Sequence, residues 1–301
     1  MDYKCGYIAI LGKPNAGKST LVNCMVGEKV AIVSSKPQTT RNNILGILTK
    51  SNYQLIFVDT PGIHKSKNAL DKFMMKNVRS AIGGASVNIY LIDSTKEITG
   101  EEIDYVKNLK QKNEVPLIVC LSKTDLVKKQ ELLIKLSQIA NINEVDEVVP
   151  ISSYKAYNTN ELLEIILKYL PNEKEKNFIY DNDYYTDKSI NFIVAETIRE
   201  KALLCLEQEI PHGINVNIVS FIEKPNITVI EADIVCERES HKSIIIGKRG
   251  KKLKEIGEKA RIDIEKLLDK KVLLKLFVKT KKNWRDSENY LKEFGYKKEN
   301  L

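Results

Sequence analysis

Tyr7-Ile8-Ala9-Ile10-Leu11-Gly12-Lys13-Pro14-Asn15-Ala16-Gly17-Lys18-Ser19-Thr20 is the stretch that decides the fold. Its first five residues form an apolar run of the kind a buried strand shows. Residues 12–19 match G-x-x-x-x-G-K-[ST], so the strand turns through a glycine loop into a helix. Holding a triphosphate requires these residue types. Glycines let successive N–H groups turn inward, Lys18 sets a point charge near the β- and γ-phosphates, and Ser19 offers a hydroxyl to Mg²⁺. The partial positive charge of the helix N-terminus also favours an anion. Gly12, Pro14, Asn15, Ala16, Gly17, Lys18, Ser19 and Thr20 are therefore the candidate phosphate contacts. The competing reading is a chance Gly-Lys-Ser in a surface turn, and the strand before and helix after count against it.

Three further segments follow in the order a nucleotide switch needs, each at the end of an apolar run that reads as a parallel strand. Leu55-Ile56-Phe57-Val58 leads into Asp59-Thr60-Pro61-Gly62, where Asp59 can hold Mg²⁺ through water and the Gly62 N–H can sense a γ-phosphate. Leu117-Ile118-Val119-Cys120-Leu121 leads into Ser122-Lys123-Thr124-Asp125, a variant of the [NT]-K-x-D base reader. The Asp125 carboxylate can accept from both N1–H and the exocyclic N2–H of guanine. Adenine has no such donor pair, so the site selects GTP and GDP. Ser122 is shorter-reaching than the usual Asn or Thr, which predicts weaker nucleotide affinity without altered base choice. Val148-Val149-Pro150-Ile151 leads into Ser152-Ser153-Tyr154-Lys155, whose backbone N–H is expected at guanine O6. A main-chain contact tolerates Ser153 in place of Ala.

Between the phosphate loop and Asp59 lies Pro37-Gln38-Thr39-Thr40-Arg41, a polar segment read as mobile. A Thr hydroxyl there completes the Mg²⁺ shell when a γ-phosphate is present, and Thr40 is chosen over Thr39. Such a loop, ordered by the third phosphate and released after hydrolysis, is a switching device; a plain surface loop is the alternative. Ser19, Thr40 and Asp59 are thus the metal candidates, and Lys18, Thr40, Asp59 and Gly62 the catalytic ones. The residue after Asp-Thr-Pro-Gly is Ile63, where many small GTPases place a water-orienting Gln, so intrinsic turnover is expected to be slow. Asn15 is the candidate for holding K⁺ against the phosphates in compensation.

The 301 residues suffice for two domains, and 43% hydrophobic with 29% charged content describes a globular chain. There is no run of 18 apolar residues, no signal-peptide pattern and no organellar import sequence, which predicts a cytoplasmic chain of bacterial type. Cys5, Cys24, Cys120, Cys205 and Cys236 are scattered without a C-x-x-C pair, and His64, His212 and His241 carry no ligand spacing. Neither disulfides nor zinc are indicated. His64 reads as a solvated loop residue. Charge is more telling. Residues 240–301 hold 19 Lys and Arg against 9 Asp and Glu, while residues 1–239 hold 29 against 31, so the whole positive excess lies in the last fifth. A basic block can be only a solvated helix face until a motif is found in it.

The nucleotide unit closes with a helix carrying Leu162, Ile166 and Leu170 on one stripe, and Pro171 stops it. The division read from the chain is 1–172 for this domain, 173–188 for a polar, Tyr-rich linker permitting domain adjustment, and 189–301 for a second domain. That domain opens with Ile190, Val194, Ile198, Ala202 and Leu206 at steps of four, a helix packing one face. Alternation at Ile214, Val216, Ile218 and again at Ile230, Ala232, Ile234, Cys236 gives an antiparallel strand pair with a turn at Pro225-Asn226. Ile244-Ile245-Ile246 then leads through Gly247-Lys248-Arg249-Gly250 into a basic helix start at Lys251-Lys252-Leu253, and residues 272–278 give a last strand. Helix-strand-strand-helix-helix-strand is the order of a type II KH domain, set against a nonspecific basic module. In a KH loop the glycines admit a nucleic-acid backbone, main-chain N–H groups with Lys248 and Arg249 meet phosphates, and an apolar groove takes about four splayed nucleotides. Ile244, Ile245, Ile246 and Leu253 are the groove candidates; Gly247, Gly250, Lys251 and Lys252 complete the RNA-binding set.

Together these residues resemble the Era family of bacterial GTPases, within the TrmE-Era-EngA-type superfamily. Beyond the guanine motifs the resemblance rests on Lys36-Pro37-Gln38-Thr39-Thr40-Arg41, Tyr184-Tyr185-Thr186-Asp187, Ile245-Ile246-Gly247-Lys248-Arg249-Gly250, and Asn283-Trp284-Arg285 followed by Phe294-Gly295-Tyr296. It spans nearly the whole chain. It implies an α/β Ras-like P-loop G domain, with a mostly parallel sheet flanked by helices, joined to an α+β type II KH domain. It also implies a monomeric GTPase bound near the 3′ end of 16S ribosomal RNA during 30S subunit assembly, cytoplasmic with peripheral contact at the inner membrane. Arg249 stands where this family often has Gly, which strengthens phosphate contact. Two alternatives are a GTPase tied to an RNA-modification step or a membrane-associated regulatory GTPase; a third is a nonenzymatic RNA-binding scaffold that carries nucleotide.

Overall fold

Parallel strands covered on both faces need long apolar runs, and the first part of the chain supplies them. The computed structural model describes residues 3–112, 114–175, 177–207 and 209–296. The Lys-rich end read from the sequence includes residues 297–301, which lie outside the described residues. Backbone contacts divide the chain into two compact units. The first runs through Ala31 and includes Thr40–Lys65 and Met74–Asp187; the second comprises Ile32–Thr39, Ser66–Phe73 and the chain from Lys188 onward.

In the first unit β1 (Lys4–Gly12), α1 (Lys18–Val26), β2 (Ile44–Thr49) and β3 (Tyr53–Asp59) are followed by α2 (Ala69–Gly84), whose first five residues count with the second unit. Then come β4 (Val87–Asp93), α3 (Gly100–Lys112), β5 (Leu117–Ser122), α4 (Lys129–Ala140), β6 (Glu147–Pro150) and α5 (Thr159–Tyr169). The sheet order is β2-β3-β1-β4-β5-β6, with β2 alone antiparallel to its neighbour. Strand side chains alternate between two cores. Ile8, Ile10, Phe57, Ile89, Leu91 and Cys120 pack with Leu21, Val22, Leu162 and Ile166, whereas Ala9, Leu11, Tyr90, Ile92, Val119 and Leu121 pack with Val78, Val106 and Ile139. This sandwich aligns the carboxyl ends of five parallel strands, the edge where open α/β sheets bind ligands.

The second unit contains α6 (Ile190–Cys205), β7 (Asn215–Glu223), β8 (Thr228–Cys236), α7 (Glu239–Ile246), α8 (Lys251–Leu268), β9 (Val272–Thr280) and α9 (Glu288–Glu293). The Ser189 side chain caps α6 by accepting from Phe192 N–H. β7 pairs antiparallel with β8, Val216 facing Ile234, and β9 runs parallel to β8, giving the type II KH arrangement. Trp284 is fully buried and donates from Nε1 to the Gly213 carbonyl at 2.9 Å.

The polar linker departs from the sequence reading. Glu173 exchanges two main-chain hydrogen bonds with Tyr3, Ile47 N–H donates to the Tyr185 carbonyl, and Leu45 N–H donates to Asp187 Oδ1. An open strand edge presents unpaired backbone groups, and β2 satisfies them with this segment, so residues 173–187 belong to the first unit rather than to a free tether. All five cysteines are free, three of them buried. Among the described residues no helix is long and apolar enough to cross a membrane.

Candidate nucleotide site and nucleic-acid groove

At the end of β1 the chain turns through Gly17, which has φ +97° and forms the N-cap of α1; a side chain there would be strained. Lys18 is buried, and its Nζ donates to the Gly12 and Lys13 carbonyls at 3.1 and 3.0 Å. Asp59, Ser19 and Thr40 meet beside it. Ser19 Oγ donates to Asp59 Oδ2 at 2.6 Å, while Thr40 Oγ1 lies 2.9 Å from Ser19 Oγ and 3.3 Å from Asp59 Oδ2. Thr39 is elsewhere, its hydroxyl spent on the Lys36 carbonyl.

Burial governs the charges at this site. It lowers the Lys18 ammonium to about 8 against the opposing pull of Asp59. It raises Asp59 to about 6 against the Ser19 hydroxyl, Lys18 and Thr40. Desolvation thus outweighs the attraction between the two partners, and each is short of opposite charge. A polyphosphate supplies it to Lys18 and a divalent cation to Asp59. Asp59 Oδ1 is moreover buried without a hydrogen-bond partner among the described residues. Three hard oxygens, one carboxylate oxygen unspent, suit Mg²⁺. Gly62 abuts the phosphate loop so closely that a Cβ would stand 2.7 Å from Pro14 Cα, and Ile63 N–H donates to the Gly12 carbonyl. His64 is not simply solvated. Its Nδ1 lies 2.7 Å from the Gly62 carbonyl, which can only accept, so Nδ1 carries the proton.

At the base-reading end, Ser122 reaches further than its length suggested. Its Oγ is 2.7 Å from the Ala16 carbonyl and 3.0 Å from that of Ile92, because β5 ends close beneath the loop. The expected loss of reach does not occur. Lys123 is held at φ +59° with Nζ 2.7 Å from Asp93 Oδ2. Burial acts to raise Asp93, but hydrogen bonds from Lys123 and Thr95 outweigh it and hold the carboxyl below its ordinary value. Ser152 Oγ donates to Asp125 Oδ1 at 2.6 Å and thereby aims the exposed carboxylate. The Ser152 N–H is bonded to the Tyr157 carbonyl, so the donors left for a base oxygen are those of Ser153 and Tyr154.

In the second unit α7 ends at Gly247, and Arg249 adopts φ +54° in the loop before α8. Lys248, Arg249 and Lys251 are exposed. Lys252 is less available. It and Lys259 flank Glu255 at 3.1 and 2.8 Å and hold that carboxyl down at about 2. The isoleucine run is divided between core and surface, and Ile245 drops out as a groove residue. Ile245 is fully buried in the core, Ile246 packs against that core, and Ile244 is exposed on α7, as a helical period demands of three consecutive residues. A cavity of about 360 Å³ lies between α8 and β9, lined by Gly250, Leu253, Gly257, Arg261, Leu274 and Leu276. Leu253 alone of the four apolar candidates belongs to it. Gly257 was the available signal. A mid-helix glycine costs about 0.5–1 kcal/mol relative to Ala, and here a Cβ would come into van der Waals contact with Leu276 Cδ1 at 3.4 Å, on the cavity side of the helix.

A parallel sheet that gathers a phosphate loop, a cluster of hard oxygens and an aimed base-reading carboxylate defines a P-loop guanine-nucleotide fold, here joined to a type II KH fold. The family model described as 50S ribosome-binding GTPase matches residues 7–123, and the KH domain model matches residues 209–285. GTPase Era of Clostridium kluyveri is 46% identical over 295 residues, covering 98% of this chain and 99% of the relative. GTPase Era of Clostridium perfringens is 45% identical over 297 residues, with 98% and 99% covered. The chain belongs to the Era family of GTPases. A crystal structure of Era in complex with MgGDPNP and nucleotides 1506–1542 of 16S ribosomal RNA superimposes with a TM-score of 0.93 at 38% identity, covering 98% of this chain and 99% of that one. A variant of Aquifex aeolicus Era bound to GDP and AlF4⁻ also gives 0.93 at 38% identity, with 97% and 99% covered.

Proposed function

We propose that this protein binds and hydrolyses GTP with Mg²⁺ and uses the nucleotide state to control capture of the 16S ribosomal RNA 3′ end by its KH domain during 30S subunit assembly. One observation carries the reading. Thr40 stands among the metal-binding oxygens, while the residue before it, Thr39, is packed into the unit that holds the KH fold. Lys18 and the loop N–H groups bind the phosphates, Asp125 selects guanine, and Ser19, Thr40 and Asp59 hold the metal. Mg²⁺ supplies the positive charge that phosphoryl transfer needs. Thr40 and Gly62 sense the third phosphate, and its loss frees the segments around them. Ile63 cannot orient a water, so turnover is slow without stimulation; K⁺ held by Asn15 supplies part of the missing charge.

On the RNA side Lys248, Arg249 and Lys251 meet phosphates, while the Leu253–Leu276 groove takes bases. The same reading makes the protein a cytoplasmic monomer whose basic C-terminal residues touch the inner membrane peripherally, each Lys contributing on the order of 1 kcal/mol near an anionic surface. The test is single-turnover GTP hydrolysis, in K⁺ and in Na⁺, with and without a short RNA ending in the small-subunit 3′ sequence. Turnover that responds to the RNA is expected. The double variant K248D/R249D is expected to lose RNA binding and that response while keeping basal hydrolysis. RNA binding retained in the variant takes RNA capture off the Gly247–Gly250 loop, and equal rates in the two cations remove the K⁺ role.

A further inference from the structure

Arg199, on α6, has no part in either site, yet its side chain is completely buried. A buried guanidinium must be paired. Glu196, one turn earlier, takes Nε at 2.7 Å and Nη2 at 2.5 Å in a planar fork. Nη2 also donates to the main-chain carbonyl of Thr39. The next residue, Glu200, accepts from Val33 N–H at 2.9 Å, so two successive residues of α6 hold both ends of Ile32–Thr39. Lys201 then bridges Glu200 at 2.9 Å and Asp263 of α8 at 2.5 Å. A line of charged groups therefore runs from the Thr39 carbonyl to the helix that begins at the Gly247–Gly250 loop.

We propose that Arg199, oriented by Glu196, is a positioning residue for the nucleotide reaction, fixing the Thr39 peptide and through it the placement of Thr40 among the metal-binding oxygens. This rests on the reading of that site as one for GTP and Mg²⁺. The Thr39 carbonyl and the Thr40 N–H belong to one planar peptide group, so a donor that sets the direction of one sets the other. A guanidinium does this more rigidly than an ammonium because its donors lie in a fixed plane. The fork to Glu196 leaves a second Nη2 proton to place, and the Thr39 carbonyl takes it, so the ion pair and the loop peptide are held by one rigid group. Nη1 of Arg199 is also buried without a partner among the described residues.

The test uses the full chain, wild type against R199K, E196Q and the double variant R199Q/E196Q, which leaves no lone buried charge. Affinities for GDP and for a non-hydrolysable GTP analogue with Mg²⁺ are measured, together with turnover with and without the RNA. In R199Q/E196Q the analogue is expected to weaken about ten-fold or more, as loss of a charged donor to a main-chain carbonyl implies, with GDP changed by less than about three-fold. The RNA response is expected to vanish, and R199K to recover part of both. Should the double variant fail to fold, E196Q alone, which keeps the guanidinium but loosens its orientation, must move the analogue-to-GDP ratio in the same direction. An unchanged ratio with the RNA response intact, or equal losses for both nucleotides, overturns the inference. Wild-type protein that fails to hydrolyse GTP or to respond to RNA defeats the underlying reading instead.

Discussion

Ser152 illustrates how one hydroxyl supports a recognition that another residue performs. Asp125 is exposed, and an exposed carboxylate samples many orientations unless something holds it; Ser152 Oγ does so at 2.6 Å. Ser152→Ala is therefore expected to cost about 1 kcal/mol, or roughly five-fold in affinity, for GTP and GDP alike. Asp125→Ala removes both acceptors of the guanine donor pair, and at about 1.5–3 kcal/mol each it weakens both nucleotides by two orders of magnitude or more. Calorimetric titration checks the pair of variants. An effect on GTP alone places Ser152 in phosphate sensing rather than base reading. At this scale the sequence was legible where a motif fixes atoms through the backbone, as in residues 12–20. It was misleading at Ser122, since reach to Ala16 depends on where β5 stops relative to the loop, which no single residue encodes.

Gln54 and Gly257 act on elements rather than on ligands. Gln54 is fully buried in β3; its Oε1 accepts from Ile179 N–H at 2.8 Å and Tyr180 N–H at 3.0 Å, and its Nε2 donates to the Tyr180 carbonyl and Thr49 Oγ1. Gln54→Leu strands three main-chain groups of the linker. A loss of about 2–4 kcal/mol in stability is expected, limited because solvent reaches part of the released segment, with faster amide exchange at Ile179 and Tyr180. Unaltered exchange there shows that the β2 edge contacts suffice. On α8, Gly257→Leu places a side chain on the floor of the 360 Å³ groove. RNA affinity is expected to fall about ten-fold with nucleotide affinity unchanged, measured by fluorescence anisotropy with a labelled oligonucleotide; full retention moves base recognition off this groove. Polar side chains mark residues 173–188 as a linker, whereas the order of the segment comes from main-chain pairing, which composition does not report.

For the whole molecule the uneven charge is decisive. Residues 240–301 carry a net of +10, whereas the rest of the chain is slightly acidic, so one region attracts a polyanion. With Lys252 engaged by Glu255, the free cations at the loop are Lys248, Arg249 and Lys251. Three phosphate contacts predict a slope of about −2 in log K against log salt concentration for a single strand. K248D/R249D is expected to flatten it, and a slope unchanged by that variant assigns the salt dependence to other lysines.

The sequence by itself determined the strand-loop-helix phosphate cradle, the guanine preference and the KH order, because each depends on local spacing and on side-chain periods that a linear chain displays. It also located the basic block, which is simple arithmetic. Tertiary structure alone decided that Ile245 is core while Leu274 and Leu276 line a cavity beside α8, since which face of an apolar element is covered depends on its neighbours. It alone decided, too, that Arg199 is fully buried against the Thr39 carbonyl, 160 residues away. Hydrogen bonds across such separations leave no period in the sequence; they exist only once packing has brought donor and acceptor together.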